Sequence, residues 1–155
     1  MHIATIGLLC VLAVLLLTAA VTDIRSRIIS NRLNLVIAGL AVPWWLLMGL
    51  GGPDMLLQIG AACVVLLVFG GCFALGMMGG GDVKLLVALA LWLPLGALLS
   101  MLVWMAMAGG VLTIGMVVAY KVRNAPNRPE IPYGVAIVVA ALPIITNHIL
   151  TIPAA

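Results

Sequence analysis

The chain has 155 residues, 66% of them hydrophobic and 7% charged, with a mean hydropathy of +1.37 and a formal charge of +3. Soluble domains carry roughly a quarter charged residues, so seven basic and four acidic side chains cannot cover a water-facing surface. The bilayer is the solvent, and a backbone in lipid must satisfy itself as helices or as a closed barrel. The long, continuous apolar runs select helices. The few basic residues sit beside those runs, a pattern of membrane topology rather than a nucleic-acid footprint.

Ile3 to Thr22 is long enough for a span of about 20 residues. It lacks a basic n-region and is long for a signal-peptide core, so it reads as a span rather than a cleaved leader. Leu33 to Leu50 is the second run, closed by Gly51-Gly52-Pro53, a strong breaker. Met55 to Met78 is the third, closed by the triplet Gly79-Gly80-Gly81. Val83 to Tyr120 then runs for 38 residues, interrupted by Pro94 and Gly96. As one helix it would reach about 57 Å, too long for a single span. It reads as two spans, the first of them short. Ile131 to about Leu150 is the last run, with Pro132 at its start, where proline is tolerated. The expectation is an all-α, polytopic membrane protein: one domain over residues 1–155, with six transmembrane helices.

Sidedness supports that count. Arg25, Arg27 and Arg32 follow the first run, Lys84 the third, and Lys121, Arg123 and Arg128 the fifth. Six spans put all seven on one side, the cytoplasm, with both termini outside; five spans would send the last cluster across. The same topology places Asp23, Asp82 and Glu130 on the cytoplasmic side and Asp54 outside. If the short fourth span reaches the outer face, Asp82 at its start lies below the inner surface.

A carboxylate at the edge of a bilayer is costly and calls for a reason. Two carboxylates brought together do not both ionise easily, so one holds a proton when the other has lost it. The ionised acid can draw a proton from water while the protonated one hydrogen-bonds a scissile carbonyl. Asp23 and Asp82 are the candidates for that pair. Gly79, Gly80 and Gly81 could form an open segment whose backbone pairs with an extended substrate. Structural readings stand beside these. Asp82 is also placed to be a helix N-cap. Asp23 is placed to pair with Arg25 or Arg27, the glycines to turn or pack, and Lys84 to snorkel or to hold Asp82. Asn31 and Asn34 read as turn formers or polar contacts. Cys10, Cys63 and Cys72 read as buried small hydrophobes, with no disulfide framework. His2 and His148 lie far from the acids, and no His/Cys/Asp cluster has metal-ligand spacing, so neither metal nor cofactor is expected.

Three segments of this chain resemble the type IV prepilin peptidases, bacterial membrane aspartic proteases with a Gly-x-Gly-Asp motif. They are Asp23-Ile24-Arg25-Ser26-Arg27-Ile28-Ile29-Ser30-Asn31, Gly79-Gly80-Gly81-Asp82-Val83-Lys84, and Ile131-Pro132-Tyr133-Gly134. The resemblance implies a Gly-x-Gly-Asp protease-like bundle with Asp23 and Asp82 as the catalytic dyad. Gly79, Gly80, Gly81, Lys84 and Asn31 would support that dyad or bind substrate. It further implies removal of the leader from prepilins or pseudopilins, usually after a glycine, at the cytoplasmic face of the inner membrane. Such a substrate has a short basic leader and an apolar helix, and pilus or secretion machinery is the implied partner. Ser30 stands where the family usually has proline, and is expected to loosen that loop. The connection from Asp23 to Leu33 has no room for the zinc-binding, N-methylating domain of larger members. The chain therefore resembles the short Tad/Cpa-type members that serve Flp-type pili. Two other readings are a small proton- or cation-coupled transporter and a non-catalytic assembly subunit.

Overall fold

The computed structural model describes residues 2–123 and 133–151. Arg128, Glu130, Ile131 and Pro132 lie outside the described residues. Seven helices follow in order: α1 (His2–Ser26), α2 (Asn31–Gly39), α3 (Ala41–Leu47), α4 (Gly52–Ala74), α5 (Gly80–Ala90), α6 (Leu95–Arg123) and α7 (Tyr133–Thr151). The all-helical expectation holds among the described residues. Of the six expected transmembrane helices, one of them short, three are long and apolar enough to cross a membrane among the described residues: α1, α4 and α6, over Ile3–Ser26, Gly52–Ala74 and Leu95–Ala119. The apolar stretch of α7, Tyr133–Asn147, is shorter.

Prolines explain the short pieces. Pro43 has no N–H to give the Gly39 carbonyl, so the second run divides into α2 and α3 at Leu40. Pro94 likewise cannot donate to Ala90, and α5 stops there after eleven residues. α4 ends earlier than the glycine triplet suggests. Gly76 takes φ +70 and Met77 N–H bonds the Cys72 carbonyl at 2.9 Å, a left-handed helix cap that glycine allows without steric cost.

α5 is the buried centre. It packs against α2, α4, α6 and α7, and Leu85, Leu86, Leu89 and Ala90 are fully enclosed. A helix apolar over most of its surface belongs inside a bundle. α1 and α6 both pack on α7. The three cysteines are not buried: Cys10 and Cys63 are exposed and Cys72 is half-exposed. Lipid is as apolar as a protein core, so hydrophobicity does not separate the two positions.

In lipid, carbonyls freed at a helix break need internal donors. Three tryptophans supply or use them at the end of α5. Trp44 Nε1 donates to the Trp92 carbonyl at 3.1 Å, and Trp45 Nε1 to the Leu91 carbonyl at 2.7 Å. Trp92 Nε1 donates back to the Ile37 carbonyl at 2.8 Å, and the Trp44 and Trp92 rings stack at 5.6 Å. This cluster locks α2 and α3 to the α5–α6 break. Trp92→Phe removes one hydrogen bond and should cost about 1 kcal/mol. Trp92→Ala also opens a cavity and should cost about 3–5 kcal/mol. Unfolding in mixed detergent micelles, followed by intrinsic fluorescence or helix content, measures both.

Candidate active site

Asp23 and Asp82 start 59 positions apart in sequence and end in one cavity of about 240 Å³. Arg27, Ile28, Ile29 and Gly79 to Gly81 complete its wall. Both acids are buried, Asp23 4% and Asp82 7% exposed. Asp23 sits on the last turn of α1. Just beyond it Arg27 takes φ +56, a left-handed conformation that costs a non-glycine residue about 1–2 kcal/mol. The turn ends α1 and leads Ile29 beneath α5.

The carboxylate of Asp23 meets the start of α7. Its Oδ2 accepts the Val135 N–H at 3.3 Å. First-turn amides have no acceptor within their own helix, so an acid there caps α7 and faces its positive end. Gly134 makes this approach possible: a methyl on it would stand 2.8 Å from Asp23 Oδ2 and 2.8 Å from Ile29 Cδ1.

Asp82 is not the N-cap of α5. Gly79 occupies that position with extended backbone, φ −71 and ψ 141, and Asp82 lies in the first turn, three residues on. Its N–H bonds the Gly79 carbonyl at 3.1 Å. One carboxylate oxygen, Oδ1, is buried without a hydrogen-bond partner. A buried unpartnered oxygen is costly and marks a place for a proton, a water or a substrate group.

The glycine triplet serves close packing rather than an open strand. Gly80 and Gly81 begin α5. An added Cβ at Gly80 would press on the Phe73 ring at 3.2 Å, and one at Gly81 on the Ile29 carbonyl at 3.1 Å. At Gly79 it would meet Asp82 Oδ2 at 2.8 Å. Asn34, 4% exposed, donates its Nδ2 to the Gly81 carbonyl at 3.0 Å and so ties α2 to the start of α5.

Lys84 is placed differently from the expectation that it holds Asp82. Its Nζ donates to Asn31 Oδ1 at 2.7 Å in an exposed position, joining α5 to α2. Ser30 does not loosen its loop. It is the N-cap of α2, and its hydroxyl accepts the Leu33 N–H at 3.2 Å. Its φ of −67 is one that proline also adopts. Residue types in sequence give no sign of Val135 as the anchor of Asp23. Arg27 and Ile29, within the first resembling segment, and Gly134, within the third, did carry a signal. Among the described residues no three His, Cys, Asp or Glu side chains gather.

An all-helical apolar bundle with two buried acids in one cavity defines a class of membrane proteins with polar chemistry at a helix end. A model of the type IV leader peptidase family matches residues 10–114, two thirds of the chain including both acids, and the chain belongs to that family. It is a membrane-type peptidase. No curated protein and no solved structure matches it. Gly134 lies beyond the matched residues, so its contact with Asp23 comes from the structure.

The contacts rank the glycines. Gly134→Ala should push the Asp23 carboxylate off the α7 amide and slow peptide cleavage about a hundredfold. Gly80→Ala, which meets only the edge of a phenylalanine ring, should cost less than tenfold, roughly one aromatic adjustment. Initial rates on a leader-bearing peptide, normalised to enzyme in the membrane, test the order.

Proposed function

We propose that this chain is an aspartic endopeptidase that removes leaders from type IV prepilins of the Flp class, at the cytoplasmic face of a bacterial inner membrane. The reading covers residues 1–155 as one domain, crossing six times with the help of the shorter helices, both termini periplasmic. One observation carries it: two acids from distant helix ends share a small cavity, one held by a helix amide and the other with a free oxygen.

The chemistry follows from that pairing. Like charges in a poorly solvated cavity divide a proton between them. The ionised carboxylate takes a proton from water as the oxygen adds to the scissile carbonyl carbon. The protonated carboxyl hydrogen-bonds the carbonyl oxygen as charge develops there. Collapse of the tetrahedral adduct returns a proton to the leaving nitrogen. The two acids and one water account for every proton, and no cofactor is invoked. Lys84 and Asn31 support the site through their bond to each other, and Gly79 to Gly81 by letting α5 start close to Phe73 and Ile29.

Helix length bears on the depth of the site. The apolar span of α1 begins at Ile3, and Asp23 lies twenty residues on, about 30 Å of helix. A hydrocarbon core about 30 Å thick that begins at Ile3 leaves Asp23 at its other edge.

Asp23→Asn and Asp82→Asn should each reduce leader cleavage by about a thousandfold or more, with insertion and helix content retained. Co-expression with a Flp-type prepilin, read by gel shift and intact mass, is the assay. Appreciable turnover in either variant removes that residue from the pair. The cleaved pilin should also lack the mass of an added methyl group; an enzyme-dependent methyl would contradict a purely proteolytic role.

A further inference from the structure

Beyond the acid cavity, the bundle carries a second and larger concavity. It is an apolar groove of about 880 Å³ between α6 and α7, with Ser100, Trp104 and Ala108 on one wall and Val135, Val139 and Pro143 on the other. We infer that this groove seats the apolar helix of the leader-bearing substrate and leads its scissile bond to Asp23. The inference rests on the leader-peptidase reading above and names the surface that reading leaves open.

Continuity with the acids is the first argument. Val135 belongs to both places: its side chain lines the groove and its amide holds Asp23 Oδ2. A chain lying in the groove and continuing past Val135 arrives at the carboxylate within about one residue, roughly 3.5 Å of extended chain.

Size is the second. The α7 wall runs from Val135 to Asn147, about 18 Å of helix. A partner helix of that length and about 10–12 Å across fills about 1,400–2,000 Å³. The groove therefore takes about half of its cross-section and leaves the rest to lipid.

Backbone chemistry is the third. Pro143 has no N–H, so the Val139 carbonyl lacks its helical donor, and both residues line the groove. In lipid a carbonyl without its helical donor is costly unless another group serves it. A small hydroxyl or amide on a seated helix would answer it, as polar side chains do between membrane helices. Val139 and Trp104 are 54% and 60% exposed, so the walls are open to such a partner.

The test uses the full chain in nanodiscs with a synthetic prepilin: a basic leader, a glycine at the cleavage point and a 20-residue apolar helix. Ser100→Phe fills the groove from an exposed position. It should raise KM for this substrate about tenfold at unchanged kcat, the pattern of lost uniform binding. A truncated peptide that ends a few residues after the cleavage point does not reach the groove, and the variant should cut it at the wild-type rate. A photo-crosslinking residue at Val139 should capture the substrate's apolar helix, and the same residue at exposed Val64 on α4 should not. Unchanged KM, equal capture at both positions, or adducts only to lipid or to a second copy of the chain would overturn the groove while leaving the peptidase intact. Failure of the wild type to cut either substrate would overturn the peptidase reading itself.

Discussion

A helix interrupted in lipid finds no water to complete its hydrogen bonds, and the rest of this structure depends on how one interruption is sealed. Pro94 ends α5 after eleven residues. The indoles of Trp44 and Trp45 take up the Leu91 and Trp92 carbonyls behind it. Because that end is fixed, the start of α5 is fixed too, about 15 Å away by helical rise over Gly80–Ala90. Asp82 stands at that start. Its position in the bundle follows from a backbone requirement met at the other end of the helix.

The opposite end of the bundle works through close approach. Ile29 is wedged under Gly81 and against Gly134, so the loop after α1 touches the first turns of both α5 and α7. Those turns present amides with no helical acceptors. The α7 turn takes the Asp23 carboxylate, and the α5 turn carries Asp82. Two acids become neighbours because three small-residue contacts let three chain segments meet. Packing of this kind needs no hydrophobic driving force, which lipid would not supply; it needs shape and internal hydrogen bonds. The same first turn of α7 opens on one side to the acids and on the other to the α6–α7 groove, which is how chemistry and a long apolar surface come to adjoin.

Much of the site was legible in the residues. An aspartate after a glycine triplet, another beside a short basic loop, and proline breaks in apolar runs are local signals with local causes. The sequence also marked Pro94 as a break and α5 as short, since proline's missing donor acts wherever it falls. Span lengths were less legible. Leu33 to Leu50 reads as one run by hydropathy, yet Pro43 divides it, and the cysteines face outward because lipid and core are equally apolar. Lys84 was legible as a residue near Asp82, but its partner is Asn31. A lysine stem reaches several neighbours, and which one it meets depends on where α2 lies.

By itself the sequence determined the solvent, the helical class and the breaks, because composition and missing N–H groups act on the chain wherever it goes. It also singled out the two acids that the fold brings into one cavity. Only the tertiary structure decided that Asp23 caps α7 through the Val135 amide, that Lys84 meets Asn31, and that Asn34 meets the Gly81 carbonyl. These rest on contacts between segments as far as 112 positions apart. Such contacts leave no period or spacing in the chain, since they are set by how helices of given length lie against one another.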